Sequence, residues 1–181
     1  MDKTKQKIAF SFLIAIFLAA FEGVVVSTAA PVIVKSLHNF KMISWIFSIF
    51  LLTSAISTPI YGKLADLYGR KRIFMIGISI FLFGSLLAGL SQTMHQLIIF
   101  RGIQGIGAGA IFTIGFTMIG DIFTLEERSI IQGAISTIWG IAGLVGPLLG
   151  GFLIDYLSWQ WIFFINIPFG LLSVYILAKF V

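Results

Sequence analysis

Six runs of mostly apolar residues recur along this 181-residue chain, at roughly 8–34, 43–63, 73–91, 97–120, 130–154 and 161–180. Each approaches or exceeds the length of about 20 residues that a helix needs to cross the hydrocarbon of a bilayer. No water is available there to satisfy a bare N–H or C=O, so such runs must be helical. The connections are short, running 35–42, 63–72, 91–96, 121–129 and 155–160. No linker, charge run or low-complexity stretch divides the chain. The expectation is an all-α membrane protein forming a single six-helix transmembrane bundle over 1–181.

Composition agrees. Hydrophobic residues make up 59% and charged residues 10%, with a mean hydropathy of +1.06. An ordinary soluble domain carries about a quarter charged residues. The net charge of +5 does not point to nucleic acid, because the basic residues sit between apolar spans and form no basic face. They follow the positive-inside rule instead. With alternating spans, Lys3, Lys5, Lys7, Lys63, Arg70, Lys71, Arg72, Arg128 and Lys179 fall on one side. Lys35 and Lys41 fall on the other, and Arg101 lies within the membrane. The N-terminus is therefore expected in the cytoplasm of a multi-pass protein of the cell membrane, with the lipid bilayer as its first partner. A basic start, the apolar run Ile8–Phe21 and small residues at Ser27–Ala30 also fit a cleavable signal. The five further spans favour an uncleaved first helix. There is no cysteine, and the two histidines and few acids show no metal-ligand spacing. No metal or other cofactor is expected.

The stretch Gly62-Lys63-Leu64-Ala65-Asp66-Leu67-Tyr68-Gly69-Arg70-Lys71-Arg72 is dense in charge and punctuated by glycine. Gly62 and Gly69 would allow close backbone approach or unusual dihedrals. Asp66, expected near the N-terminus of the next helix, is placed to pair with Arg70, and Asp121 at the inner end of span four is a natural partner for the same arginine. The bland alternative is a topology determinant that only holds the loop inside. The stretch closely resembles the G-x-L-A-D-x-x-G-R-K-R loop of the major facilitator superfamily. That resemblance covers nearly the whole chain and implies a gating latch, in which Asp66 and Arg70 clamp helix ends during alternating access. It also implies two inverted three-span repeats, about 1–95 and 96–181, and a second six-span bundle. That C-terminal bundle is expected to be absent from these 181 residues, supplied by another chain or by a homodimer.

Glu22 lies about 21 Å along its helix from Ile8, inside the hydrocarbon, where an ionisable group is costly and by default functional. The run Glu22-Gly23-Val24-Val25-Val26-Ser27-Thr28-Ala29-Ala30-Pro31 resembles the first-span motif L-D-x-T-I-V-N-V-A-L-P of fourteen-span drug:proton antiporters, with glutamate for aspartate. Arg101 lies about 27 Å from Ile119 on the inward-running fourth span, so the two would differ in depth by about 6 Å. Leu97, Arg101, Gln104, Gly105, Gly107 and Ala108 match the family pattern L-x-x-x-R-x-x-Q-G-x-G-A. Burial disfavours a carboxylate's charged form and a nearby guanidinium favours it, so the pair could be switched by a proton. The alternatives are a structural ion pair and, for Arg101, a side chain snorkelling to the interface. Gly102, Gly105 and Gly109 would let span four pack closely on a neighbour.

Span five carries Gly143, Gly146, Pro147, Gly150 and Gly151, resembling the antiporter motif G-x-x-x-G-P-x-x-G-G. A proline kinks a helix, so this span is a candidate hinge or seal. Span six opens Trp159-Gln160-Trp161-Ile162-Phe163-Phe164-Ile165-Asn166-Ile167-Pro168, similar to W-R-W-I-F-F-I-N-x-P of the same branch. Its tryptophans suit the outer interface. Together the resemblances imply proton-coupled efflux of small lipophilic, cationic drugs by antiport, with no enzymatic chemistry and the proton gradient as energy source. Two other readings stand beside it: a half-length chain without transport, and a membrane protein that pairs with another transporter.

Overall fold

The computed structural model describes residues 3–180; residues 1, 2 and 181, the ends of the expected 1–181 bundle, lie outside the described residues. It is all-helical among them: α1 (Lys3–Leu37), a 3₁₀ turn (Phe40–Met42), α2 (Ile43–Tyr68), α3 (Arg70–Gly89), α4 (Met94–Ile122), α5 (Leu125–Tyr156), α6 (Trp161–Phe164) and α7 (Asn166–Phe180). With α6 and α7 counted as one, six helices among the described residues are long and apolar enough to cross a membrane.

Several helices are longer than their apolar runs. The 35 residues of α1 extend about 52 Å, well past a hydrocarbon core of about 30 Å. Their charged ends remain helical outside it. This shortens the connections, and the expected basic loop over 63–72 is corrected: α2 and α3 are separated by Gly69 alone. Its φ of +92 is a left-handed conformation that glycine adopts without steric cost. The Gly69 amide still donates to Ala65 O at 3.0 Å, and its carbonyl accepts from Ile73 N at 3.3 Å. Asp66 thus lies in the last turn of α2 and not at the start of α3. Gly62 is inside α2, where a Cβ would meet only Thr113 Cγ2 at 3.9 Å, so neither close approach nor special backbone requires glycine there.

Other boundaries have local causes. Thr93 caps α4 by accepting from Gln96 N. Thr124 and Glu127 form a reciprocal capping box at α5. Pro168 has no N–H to give Phe164 O, four residues back, and the sixth span is interrupted at Ile165, between α6 and α7. Pro147 produces no such break, and α5 runs through it.

α4 packs mainly on α2 and α3, while α1 packs on α5 and α7. The α2–α4 crossing is close because α4 presents glycine: a Cβ at Gly105 or Gly109 would overlap Thr53 Oγ1 or Ser57 Oγ. Gly107 faces Phe81 of α3 in the same way. Two apolar clusters fill the bundle. One, toward the basic end, holds Phe12, Phe74, Phe81 and Ile114. The other, toward the opposite end, holds Phe21, Ile33, Ile46, Leu97 and Phe163. Trp159 belongs to the second cluster and donates from Nε1 to Ser36 Oγ at 3.2 Å. It is a packing residue, whereas Trp161 is exposed.

Candidate functional site

Within the second cluster the apolar packing is interrupted by a connected set of polar side chains. Glu22 of α1 is 0% exposed and Arg101 of α4 is 1% exposed. Arg101 Nη1 donates to Glu22 Oε1 at 2.5 Å, and Asn166 Nδ2, from the first residue of α7, donates to Glu22 Oε2 at 2.5 Å. Both carboxylate oxygens are therefore held, one by a cation and one by a neutral amide. The network continues outward. Asn166 Nδ2 also donates to Ser85 Oγ of α3 at 2.9 Å, and that hydroxyl donates to Phe163 O at 2.8 Å. On the other side Arg101 Nη1 donates to Gln104 Oε1 at 2.8 Å, and Arg101 Nε to Ile46 O of α2 at 3.3 Å. The guanidinium carbon lies 4.2 Å from the centre of the Phe50 ring, in the range of cation–π attraction.

Glu22 and Arg101, which helical arithmetic placed about 6 Å apart in depth, are in direct contact, and Arg101 does not snorkel. Sequence reasoning quoted Gln104 and Asn166 as motif positions and Ser85 not at all, and singled out none of the three as a site residue. The available signal was that each is polar within an apolar span. Two atoms of this set are buried without a hydrogen-bond partner, Asn166 Oδ1 and Gln104 Nε2. They give the network an acceptor and a donor in reserve. A proton arriving on Glu22 would turn one accepting oxygen into a donor, and the free amide oxygen of Asn166 is the group that could receive it after a side-chain flip.

At the basic end a second constellation assembles in contact with solvent. Arg70 of α3 forms an ion pair with Asp121 of α4, and its Nη2 lies 3.7 Å from Asp66 Oδ1 of α2. Three helices therefore meet through one arginine. Lys71 Nζ donates to Ala178 O of α7 at 3.2 Å. Arg72 makes no ion pair among the described residues. Two further ties were not anticipated: Lys5 Nζ donates to Glu127 Oε2 at 3.0 Å, joining α1 to α5, and Arg128 donates from Nε to Phe123 O at 2.9 Å and from Nη2 to Gly120 O, closing the C-terminus of α4.

The glycines of span five divide. Gly146 and Gly150 pack on α1, where a Cβ would come within 2.7 Å of Val24 Cγ1 and 3.0 Å of Val25 Cγ2. Gly143 and Gly151 face open space. Only the first pair, with Pro147 between them, is tied to the helix that carries Glu22.

A family model described as Major Facilitator Superfamily matches residues 12–181. Multidrug resistance protein 3 of Bacillus subtilis is 41% identical, across 99% of this chain and 36% of its own length. Multidrug transporter protein MdtP of the same organism is 43% identical, across 92% of this chain and 31% of its own. Efflux pump dotC of Dothistroma septosporum is 37% identical across 92% of this chain and 30% of its own. The chain thus spans about a third of the length of these relatives. Among solved structures, a D-xylose-proton symporter superposes with a TM-score of 0.84 at 16% identity, covering 98% of this chain and 48% of that one. At that identity the likeness speaks to the fold alone.

Proposed function

Because this chain belongs to the Major Facilitator Superfamily, a family of multi-pass membrane transporters, we propose that it forms the Glu22-bearing bundle of a proton-coupled exporter of lipophilic cations. The carrying observation is the sealed carboxylate. Glu22 has no contact with solvent, a single cationic partner, and an amide on its second oxygen. A carboxylate so placed has two neutral ways to exist in a low-dielectric interior, as the Arg101 ion pair or with a proton. The cost of an uncompensated charge couples proton arrival to release of Arg101. A cationic substrate and a proton then compete for the Glu22 carboxylate, so that arrival of the one requires departure of the other. The relatives' names, multidrug and efflux, support drugs as substrates and export as the direction.

In this reading no covalent chemistry occurs and no cofactor is needed. Arg70, with Asp66 and Asp121, is the latch of the inner gate; Lys71 adds a tie to α7, and Gly69 gives the α2–α3 junction its one-residue corner. Arg72 supplies basic charge on the cytoplasmic side, where the N-terminus lies. Gly146, Pro147 and Gly150 keep α5 against α1, so that movement of the one is felt by the other. The inverted three-span repeats, 1–95 and 96–181, set the axis about which the bundle rocks.

The purified chain in liposomes under an imposed pH gradient tests this. Ethidium uptake that collapses with a protonophore and is lost in Glu22→Gln is the expected result. Uptake unchanged in Glu22→Gln overturns the proton-carrier role. A second reading follows from the share of each relative that the chain covers: one bundle that needs a second. Folded, helical protein without flux, in which flux appears on adding a second bundle, would establish it.

A further inference from the structure

On α1, Lys3, Lys7, Phe10, Ile14, Phe17 and Phe21 recur every three or four residues and so share one face. Along that face lie three adjoining cavities bordered by α7, the deeper two bordered also by α5. At the basic end a cavity of about 520 Å³ is lined by Lys3, Lys7, Phe10 and Ile176. Phe10 leads from it into an apolar cavity of about 600 Å³, walled by Ala134 and Ile138 of α5 and by Phe169 and Leu172 of α7. Phe17 and Phe169 lead on to a narrower space of about 170 Å³ that ends at Phe21.

The mouth of this groove is positively charged among the described residues. Lys5 is engaged by Glu127 at 3.0 Å, but Lys3 and Lys7 have no carboxylate within salt-bridge distance among the described residues. Lys7 Nζ lies 4.2 Å from the centre of the Phe180 ring and Lys179 Nζ 5.7 Å from the same ring, so these two ammonium groups flank one ring, and Lys3 lines the mouth beside Lys7. The distance along α1 from Lys7 to Phe17 is about 15 Å, which is half of a hydrocarbon core of about 30 Å.

We propose that this groove is a binding site for an anionic phospholipid, with the phosphate at Lys3, Lys7 and Lys179 and one acyl chain in the trench between α5 and α7. The charge of the mouth selects the occupant. A zwitterionic lipid fits the trench equally well but leaves the lysines uncompensated, and a lipophilic cation meets three like charges on the way in. The depth selects an acyl chain, because the apolar lining begins one turn below the lysines and runs on for at least the thickness of one leaflet.

Native mass spectrometry of the purified chain, titrated with dioleoylphosphatidylglycerol or dioleoylphosphatidylcholine, tests the site. The phosphatidylglycerol is expected to be retained preferentially. Lys3→Gln combined with Lys7→Gln should weaken that retention about thirtyfold, as expected for two juxtamembrane charges. Ala134→Phe fills the trench with all lysines in place and should weaken it comparably. If that variant loses the wild-type helical circular dichroism, Leu172→Trp on the exposed wall makes the same obstruction. Equal retention of the two lipids overturns the proposal. So does a loss in the lysine variant that both trench variants fail to reproduce, since the attraction would then be a diffuse surface effect.

Discussion

Two arginine-centred ion pairs stand at different depths in this molecule and are built on opposite terms. Arg101 and Glu22 are sealed, at 1% and 0% exposure, and the network around them reaches α1, α2, α3, α4, α6 and α7. Arg70, Asp66 and Asp121 are 31%, 71% and 52% exposed and join α2, α3 and α4 at one end. Around the deep pair nothing but protein can replace a lost partner, so each polar atom matters and the arrangement changes only with the charge itself. Around the shallow pair water and salt stand ready to replace any partner. The first environment suits the proposed switch, and the second suits the proposed latch.

Removing Arg101 should have the largest effect. Arg101→Met leaves the Glu22 carboxylate buried without its cation, and loss of one member of a buried pair costs about 3–5 kcal/mol. A large fall in the thermal unfolding midpoint of the detergent-solubilised protein is expected, and Glu22→Gln in the same chain should restore much of it. A midpoint within a degree or two of wild type would mean that water reaches the site, and the contrast between the two pairs would fail.

Asn166→Leu comes next. It removes the donor to Glu22 Oε2 and leaves Ser85 with one partner fewer. A hydrogen bond to a charged group contributes about 1.5–3 kcal/mol, so a smaller but clear destabilisation is expected. In a double-mutant cycle with Glu22→Gln the two losses should be less than additive, because the residues touch. Strict additivity would remove Asn166 from the site and leave it a helix-start residue of α7.

The sequence revealed the two pairs unequally, for physical reasons. Glu22 and Arg101 were legible because charge within an apolar run is costly, and because 1.5 Å per residue converts sequence position into depth. Asn166 and Ser85 carry no charge, and their helices are apolar all round. Such a helix has no amphipathic stripe to show which side faces inward. At the basic end the polar composition of 63–72 reads as a loop, yet it reports only that the segment has left the hydrocarbon. The backbone stays helical to Tyr68 and turns at one glycine. The pairing of Arg70 with Asp66 and Asp121 was therefore expected while the geometry of their connection was missed, and with it the fact that Asp66 lies in α2, not α3.

Asp121→Asn probes the shallow pair and should have the smallest effect. Exposed ion pairs contribute about 0–1 kcal/mol, and Arg70 retains Asp66 when Asp121 is neutral. The unfolding midpoint should fall by no more than a few degrees in low salt. The difference from wild type should close as ionic strength rises toward 1 M, where the screening length drops to about 3 Å. Arg101→Met offers the contrast, since its deficit should persist at the same salt. A salt-independent loss in Asp121→Asn would show that the Arg70 pair is held as tightly as the deep one. A latch of that strength would keep α2, α3 and α4 clamped throughout, and the inner gate would then have to be sought at the Lys5–Glu127 tie between α1 and α5.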